Sequence, residues 1–140
     1  MPDRPVIDQF NLVVTDMAAS VAFYRLIGFE IPEGDETWDQ HHRSVAGPGG
    51  IDLDLDSTRF AAQWDPGWRG GMGVLGVRVA SREDVDERYA TLTAAGYHSQ
   101  LAPTDAFWGS RYAIVEDPDG NPVGIMSPSD PAHRSEPPTP

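Results

Sequence analysis

Apolar and polar positions alternate along several short stretches of this chain and switch to helical spacing in two longer ones. Ile7 to Val14 (IDQFNLVV) is rich in β-forming residues. A period of two puts Phe10, Leu12 and Val14 on one face and Gln9, Asn11 and Val13 on the other. Thr15 or Asp16 can cap a following helix. That helix runs from about Met17 to Leu26, with Val21, Tyr24 and Ile27 on an apolar stripe, Phe23 beside it and Gly28 as its terminator. Phe29 to Ile31 reads as a short strand, 33–40 as a polar loop bearing Trp38, His41 to Ala46 as a strand, and 47–50 as a turn. Ile51 to Asp56 (IDLDLD) alternates strictly, so Ile51, Leu53 and Leu55 share one face and Asp52, Asp54 and Asp56 the other. Residues 57–73 read as a short helical turn and a Gly-rich link carrying Trp64 and Trp68.

The pattern then restarts. Val74 to Ala80 is a strand, and Ser81 to Asp84 fits a capping box with Asp in place of Glu or Gln. The second helix reaches about Ala95, with Val85, Tyr89 and Leu92 inward, and Gly96 stops it. His98 to Ala102 is a strand. Arg111 to Glu116 and Pro122 to Ser127 form a hairpin around the turn signal Asp117-Pro118-Asp119-Gly120-Asn121. The order β-α-β-β-β thus occurs twice, over about 7–65 and about 73–128. Residues 1–6 are a lead-in, and the polar, Pro-rich 129–140 is expected to be a disordered tail. The segments VVTDMAASVAFYRLIGFEI and VRVASREDVDERYATLTAAGYHS match in kind, an internal repeat. Neither half buries a sheet alone. Together they predict an α+β fold: a curved mixed sheet shaped as a cup, helices outside, with the ligand on the concave face.

Composition narrows the function. The 140 residues make one ordinary domain, 7–128, built from the two modules. No apolar run is long enough to span a membrane, and the first residues lack a signal-peptide layout. With Cys 0 the expected compartment is the cytoplasm. The formal net charge is -12, and every basic side chain is Arg. Such a surface disfavours nucleic acid and anionic membranes as partners. It favours cationic small molecules, or serves solubility alone. Without Lys there is no Schiff-base chemistry.

Two segments, LVVTDMAASVAFYRLIGFE near the start and EDPDGNPVGIMSP near the end, stand in this order within the repeated frame. In them the chain resembles the vicinal oxygen chelate superfamily, which includes glyoxalase I, extradiol dioxygenases and bleomycin- and mitomycin-type resistance proteins. The resemblance covers about Ile7 to Pro128. It implies the paired βαβββ cup and a homodimer. It also implies a divalent metal held by His and Glu from the first and last strands of each half. Here those positions fall on Gln9, on Asp52 or Asp54, on Val74 and on Gly124. Val74 and Gly124 have no side-chain ligand, and three protein ligands are the usual need of a catalytic ion. No cofactor is therefore expected, and a divalent metal is left only a non-standard site. What the resemblance implies is the metal-free binding branch, with antibiotic-resistance proteins as its type.

Alternation places Gln9 and Asn11, Val74, Gly76 and Arg78, and Gly124 and Met126 on the cup side. Gly76 and Gly124 are expected to leave room in the floor for a bulky flat ligand. Arg78 and Arg111 can orient an anionic or carbonyl group, or pair with Asp52, Asp54 or Glu116. Trp38, Trp64, Trp68 and Trp108 all fall in loops or at loop edges; with Phe107 and Tyr112 they offer stacking surface for a planar or cationic ligand. His41 and His42 point to opposite faces, so at most one enters the cup. His42 with Asp54 is then an acid/base candidate, against an exposed strand-edge pair.

Three functions compete. A metal-free binding protein sequesters an aromatic or cationic compound. A lyase, isomerase or dioxygenase uses a divergent metal or acid/base site. A regulatory module docks a protein through the Trp-bearing surface and has no ligand cavity.

Overall fold

A computed structural model describes residues 4–27, 29–45, 50–71, 73–116 and 120–139; the side chains of Phe23 and Ile27, Gly28, the 47–49 turn and the tip of the hairpin at 117–119 lie outside the described residues. The elements are β1 (Val6–Val14), α1 (Met17–Ile27), β2 (His42–Val45), β3 (Asp52–Ser57), α2 (Thr58–Trp64), β4 (Gly73–Arg78), α3 (Arg82–Ala94), β5 (Ser99–Asp105), β6 (Arg111–Glu116) and β7 (Pro122–Met126). All seven strands form one mixed sheet in the order β2-β3-β1-β4-β7-β6-β5. The two halves meet where β1 runs antiparallel to β4, with Gln9 opposite Gly76 and Asn11 opposite Val74. No helix among the described residues is long and apolar enough to cross a membrane.

Helix termini follow their capping residues. Asp16 Oδ1 accepts the Ala19 N–H at 3.0 Å, Ser57 Oγ the Phe60 N–H at 3.1 Å and Ser81 Oγ the Asp84 N–H at 3.1 Å. Gly96 follows α3 at φ +99°, a left-handed conformation that L side chains avoid. α1 packs on the outer face of the first half through Met17 and Val21 against Ile31, Val45 and Leu55. α3 packs on the outer face of the second half through Val85 against Val79, Ala113, Val115 and Ile125. Burying a side chain such as Leu55, fully covered, stabilises the fold by about 1.5–3 kcal/mol. Phe10, paired with Leu53 on β3 and Leu75 on β4, stays 45% exposed.

Three segments differ from the sequence reading. Phe29 to Ile31 is not a strand. The Ile31 carbonyl accepts from Arg25 Nε at 3.2 Å and the Pro32 carbonyl from Arg43 Nη2 at 2.7 Å, so arginines satisfy groups that a neighbouring strand would otherwise take. Residues 58–64 form a full short helix, because Ser57 caps it and Phe60 and Ala61 are buried beneath it. Residues 129–139 make contacts that an unstructured tail would not. Asp130 N–H donates to the Gly109 carbonyl, Ser135 N–H to the Phe107 carbonyl and Gln63 Nε2 to the Thr139 carbonyl. A Cβ on Gly109 would stand 2.4 Å from the Asp130 carbonyl, so glycine permits this approach.

Candidate functional site

The concave face of the sheet encloses a cavity of about 640 Å³, lined by both halves of one chain. Its size is in the range of drug-sized ligand sites. Of the residues singled out from sequence, Gln9, Asn11, Trp38, His42, Asp54, Trp64, Arg78, Phe107, Trp108 and Tyr112 line it. Trp68 and Arg111 do not. Arg111 instead reaches α3 and β5, with its Nε 3.0 Å from Asp86 and its Nη1 3.2 Å from Asp105. Trp68 sits in the loop after α2, its indole nitrogen buried without an acceptor. Arg78 lines the cavity but pairs with Asp8.

One wall is polar and comes from the first half. Strict alternation on β3 sends Leu53 and Leu55 towards α1 and Asp52, Asp54 and Asp56 into the cavity. The register sets Gln9 opposite Asp52 and Asn11 opposite Asp54 on β1. On β2 it sets His42 opposite Asp56 and Ser44 opposite Asp54. His42 Nδ1 lies 2.5 Å from Asp56 Oδ1. Asn11 Nδ2 donates to Asp56 Oδ2 at 2.9 Å, and Gln9 Nε2 donates to Asn11 Oδ1 at 2.9 Å. Ser44 Oγ donates to Asp54 Oδ1 at 2.7 Å. His42 thus pairs with Asp56, not with Asp54 as expected. His41 points away and bonds Ser57 Oγ at 3.0 Å.

Burial pushes the Asp54 carboxyl up to about 6, with Asp56 and Asp52 adding to the rise while Ser44 and His42 oppose it. Burial lowers the His42 pKa, but the Asp56 hydrogen bond and the charges of Asp56 and Asp54 outweigh it and hold the imidazole above its usual 6.5. Asp8, Asp52 and Asp56 complete the acid lining.

Another part of the lining is aromatic. Ring centroids run from Trp38 to Phe60 at 5.1 Å, Phe60 to Phe107 at 6.5 Å, Phe107 to Trp108 at 5.2 Å and Trp108 to Tyr112 at 5.2 Å. The members meet tilted or edge to face, the preferred geometry for such pairs. Phe60, brought to the site by α2, is a member that sequence reasoning missed; its signal was the Ser57 cap. Trp64 and Trp108 also pack on the cluster of Val74, Ala106, Tyr112, Ile114 and Met126. Burial drives the Tyr112 hydroxyl pKa far up, so it stays protonated.

The family model described as Glyoxalase/Bleomycin resistance protein/Dioxygenase superfamily matches residues 6–125. The chain belongs to this superfamily. Among solved structures it is similar to the NAD-dependent benzaldehyde dehydrogenase from Legionella pneumophila, at 21% identity and TM-score 0.65, covering 85% of this chain and 96% of that one. The Mn(II)-bound glyoxalase from Novosphingobium aromaticivorans matches at 22% identity and TM-score 0.60, covering 86% of this chain but 38% of that one. The E323L mutant of homoprotocatechuate 2,3-dioxygenase from Brevibacterium fuscum matches at 24% identity and TM-score 0.63, covering 92% of this chain but 34% of that one. These similarities concern the fold. No curated protein matches the chain.

The superfamily metal positions can now be read in three dimensions. Val74 is buried in the aromatic cluster and has no donor. At Gly124 a Cβ would stand 2.8 Å from the Tyr112 hydroxyl oxygen, so the phenol fills the space that a ligating side chain would use. At Gly76 the Gln9 side chain fills the space, with its Cγ 2.8 Å from a Cβ there. The open floor expected over both glycines is therefore occupied. Gln9 and Asp52 remain together on the first half, and among the described residues no group of three or more His, Asp or Glu is placed to hold a metal. The residues present do not fit the superfamily's metal set.

Proposed function

We propose that this superfamily member is a metal-free small-molecule binding protein that sequesters planar, cationic aromatic compounds in its cup. One observation carries the reading: an arc of aromatic rings and a stripe of aspartates line one cavity of about 640 Å³. Aromatic faces attract cations, by about 2 kcal/mol where desolvated, and the carboxylates add a matching charge. Arg78, the arginine on the lining, is already paired with Asp8 and offers an anion little. The missing donors at Val74 and Gly124 support the metal-free part. A cytoplasmic location and a homodimer belong to the same proposal.

Trp fluorescence quenching tests it. A cationic acridine dye should bind at least about tenfold more tightly than an anionic dye of equal ring size, with no added metal, and be recovered unchanged. Trp38→Ala should weaken binding of the cation by about 1 kcal/mol, roughly fivefold. Equal affinity for both dyes, or binding that requires Mn²⁺ or Zn²⁺, would sink the reading. An enzymatic reading draws on a second observation, the His42–Asp56 pair at 2.5 Å on the cavity wall.

A further inference from the structure

His42 is held as a base is held. Asp56 is fully buried, and both of its oxygens are engaged, one by His42 Nδ1 at 2.5 Å and one by Asn11 Nδ2 at 2.9 Å. Asn11 is oriented in turn by Gln9. A carboxylate can only accept, so the shared proton resides on Nδ1 and the lone pair is left on Nε2. Nε2 has no hydrogen-bond partner among the described residues, while the ring lines the cavity and lies 5.7 Å from Phe60, edge to face. A hydrogen-bonded carboxylate behind an imidazole fixes its tautomer and stabilises the imidazolium that forms when it takes a proton.

We propose that His42 is a catalytic base: Nε2 removes an acidic proton from a planar ligand lying against the aromatic arc and returns it at a second atom, a metal-free isomerisation. The C–H bond breaks, its electron pair enters the ligand's conjugated system as an enolate or its nitrogen counterpart, and the proton rides on Nε2. Delivery to another atom of the same ligand leaves its composition unchanged, so no oxidant or co-reactant is needed. Asp56, Asn11 and Gln9 are positioning residues. The chain has no Cys or Lys, so thiolate and Schiff-base chemistry are closed to it.

The charged and titratable groups around His42 are Asp56 and Asp54 on its partner strand β3. Across the cavity, Tyr112 stays protonated and Arg78 is tied to Asp8. α2 presents the neutral Phe60. The local field is therefore anionic, which favours the imidazolium and sets the base's inflection above pH 6.5.

The inference rests on the cup accepting a planar ligand, and the test separates the two. The probe is 5-nitrobenzisoxazole, whose ring opens when a base removes its carbon-bound proton. The N–O bond breaks, a nitrile forms and a coloured nitrophenolate is released. The full-length protein should open the probe about a hundredfold faster than His42→Ala, the scale of a positioned general base, with a rate that rises through one inflection above pH 6.5. His42→Ala should still show Trp quenching by the probe. Asp56→Asn, if folded by circular dichroism, should lower kcat at unchanged KM and move the inflection to lower pH. His42→Gln keeps the polarity and loses the base, so it should match His42→Ala. Quenching without turnover, or equal turnover by the wild type and His42→Ala, overturns the base and leaves the binding reading intact. No quenching by the probe overturns the base, and no quenching by the cationic acridine dye either overturns both.

Discussion

On β1, β2 and β3 the inner face carries Gln9, Asn11, His42, Asp54 and Asp56, each hydrogen-bonded to another side chain. On β4, β6 and β7 the inner face carries Val74, Tyr112, Ile114 and Met126, packed as an apolar cluster. The two faces are built on one repeated strand frame and meet at the β1–β4 pairing. What differs is how each fills the space above its strands. The first half fills it with polar groups that satisfy one another, which is the condition for burying them at tolerable cost. The second half fills it with Val74, Ile114, Met126 and the Tyr112 ring, and the Tyr112 hydroxyl takes the volume over Gly124. A duplicated scaffold thus supports a polar inner face and an apolar one in one cup, because only the inward positions of each strand need change.

The comparison can be broken from the polar side first. Asp56→Ala removes the fully buried acceptor of both His42 and Asn11, and should cost about 3–5 kcal/mol in urea unfolding at pH 7. A loss below about 1 kcal/mol would mean that the polar wall is not held together through Asp56.

The next effect is electrostatic. The Asp54 carboxyl titrates at about 6 in the folded protein against an ordinary 3.8, because burial disfavours its charge. The folded state therefore holds the proton longer than the unfolded chain. Asp54's contribution to stability is full below 3.8 and is lost as pH rises through that window towards 6, by an amount on the order of 2–3 kcal/mol. Asp54→Asn should flatten the fall between pH 4 and 6, read as urea midpoints at each pH. An unchanged slope in that variant would place the titration elsewhere. His42 adds in the same direction at higher pH. Its raised pKa gives stability that is full below 6.5 and is lost as pH climbs past its folded value.

The smallest effect compares the two glycines. Gly124→Ala drives a methyl against the buried Tyr112 ring, 2.8 Å from its oxygen and 3.0 Å from Cε1, and should cost about 1–3 kcal/mol. Gly76→Ala meets the Gln9 side chain, which is unbranched and only half-buried and can swing aside, so its cost should stay below about 1 kcal/mol. Equal losses in thermal or urea unfolding would show that the Gln9 side chain is held as firmly as the Tyr112 ring.

Much of this arrangement is legible in the residues. The strict alternation of IDLDLD identifies which face carries the aspartates, and the polar caps at Asp16 and Ser81 locate two helices. The duplicated strand–helix pattern predicts the curved sheet, and the segments LVVTDMAASVAFYRLIGFE and EDPDGNPVGIMSP carry the resemblance to the superfamily to which the chain belongs. The errors share a cause. Whether Phe29 to Ile31 pairs as a strand depends on where Arg25 and Arg43 reach, and their partners are distant in sequence or around a turn. Arg111 opens a strand whose next residue, Tyr112, lines the cup, but its partner Asp86 is on a helix 25 residues earlier. The polar tail 129–139 reads as unstructured because its order comes from backbone groups of the 107–109 loop, which composition does not encode.

By itself, the sequence determined period and type: where the chain alternates, where it turns helical, which side of each strand is polar, and that two halves repeat. Those properties are local, set by residue preference and spacing over a few positions. Only the tertiary structure decided partnership. Strand register brought Asp56, not Asp54, opposite His42, and the antiparallel pairing of β6 with β7 laid the Tyr112 phenol into the space at Gly124. Such contacts join residues far apart in the chain, and a shift of one strand by a single residue would exchange every one of them.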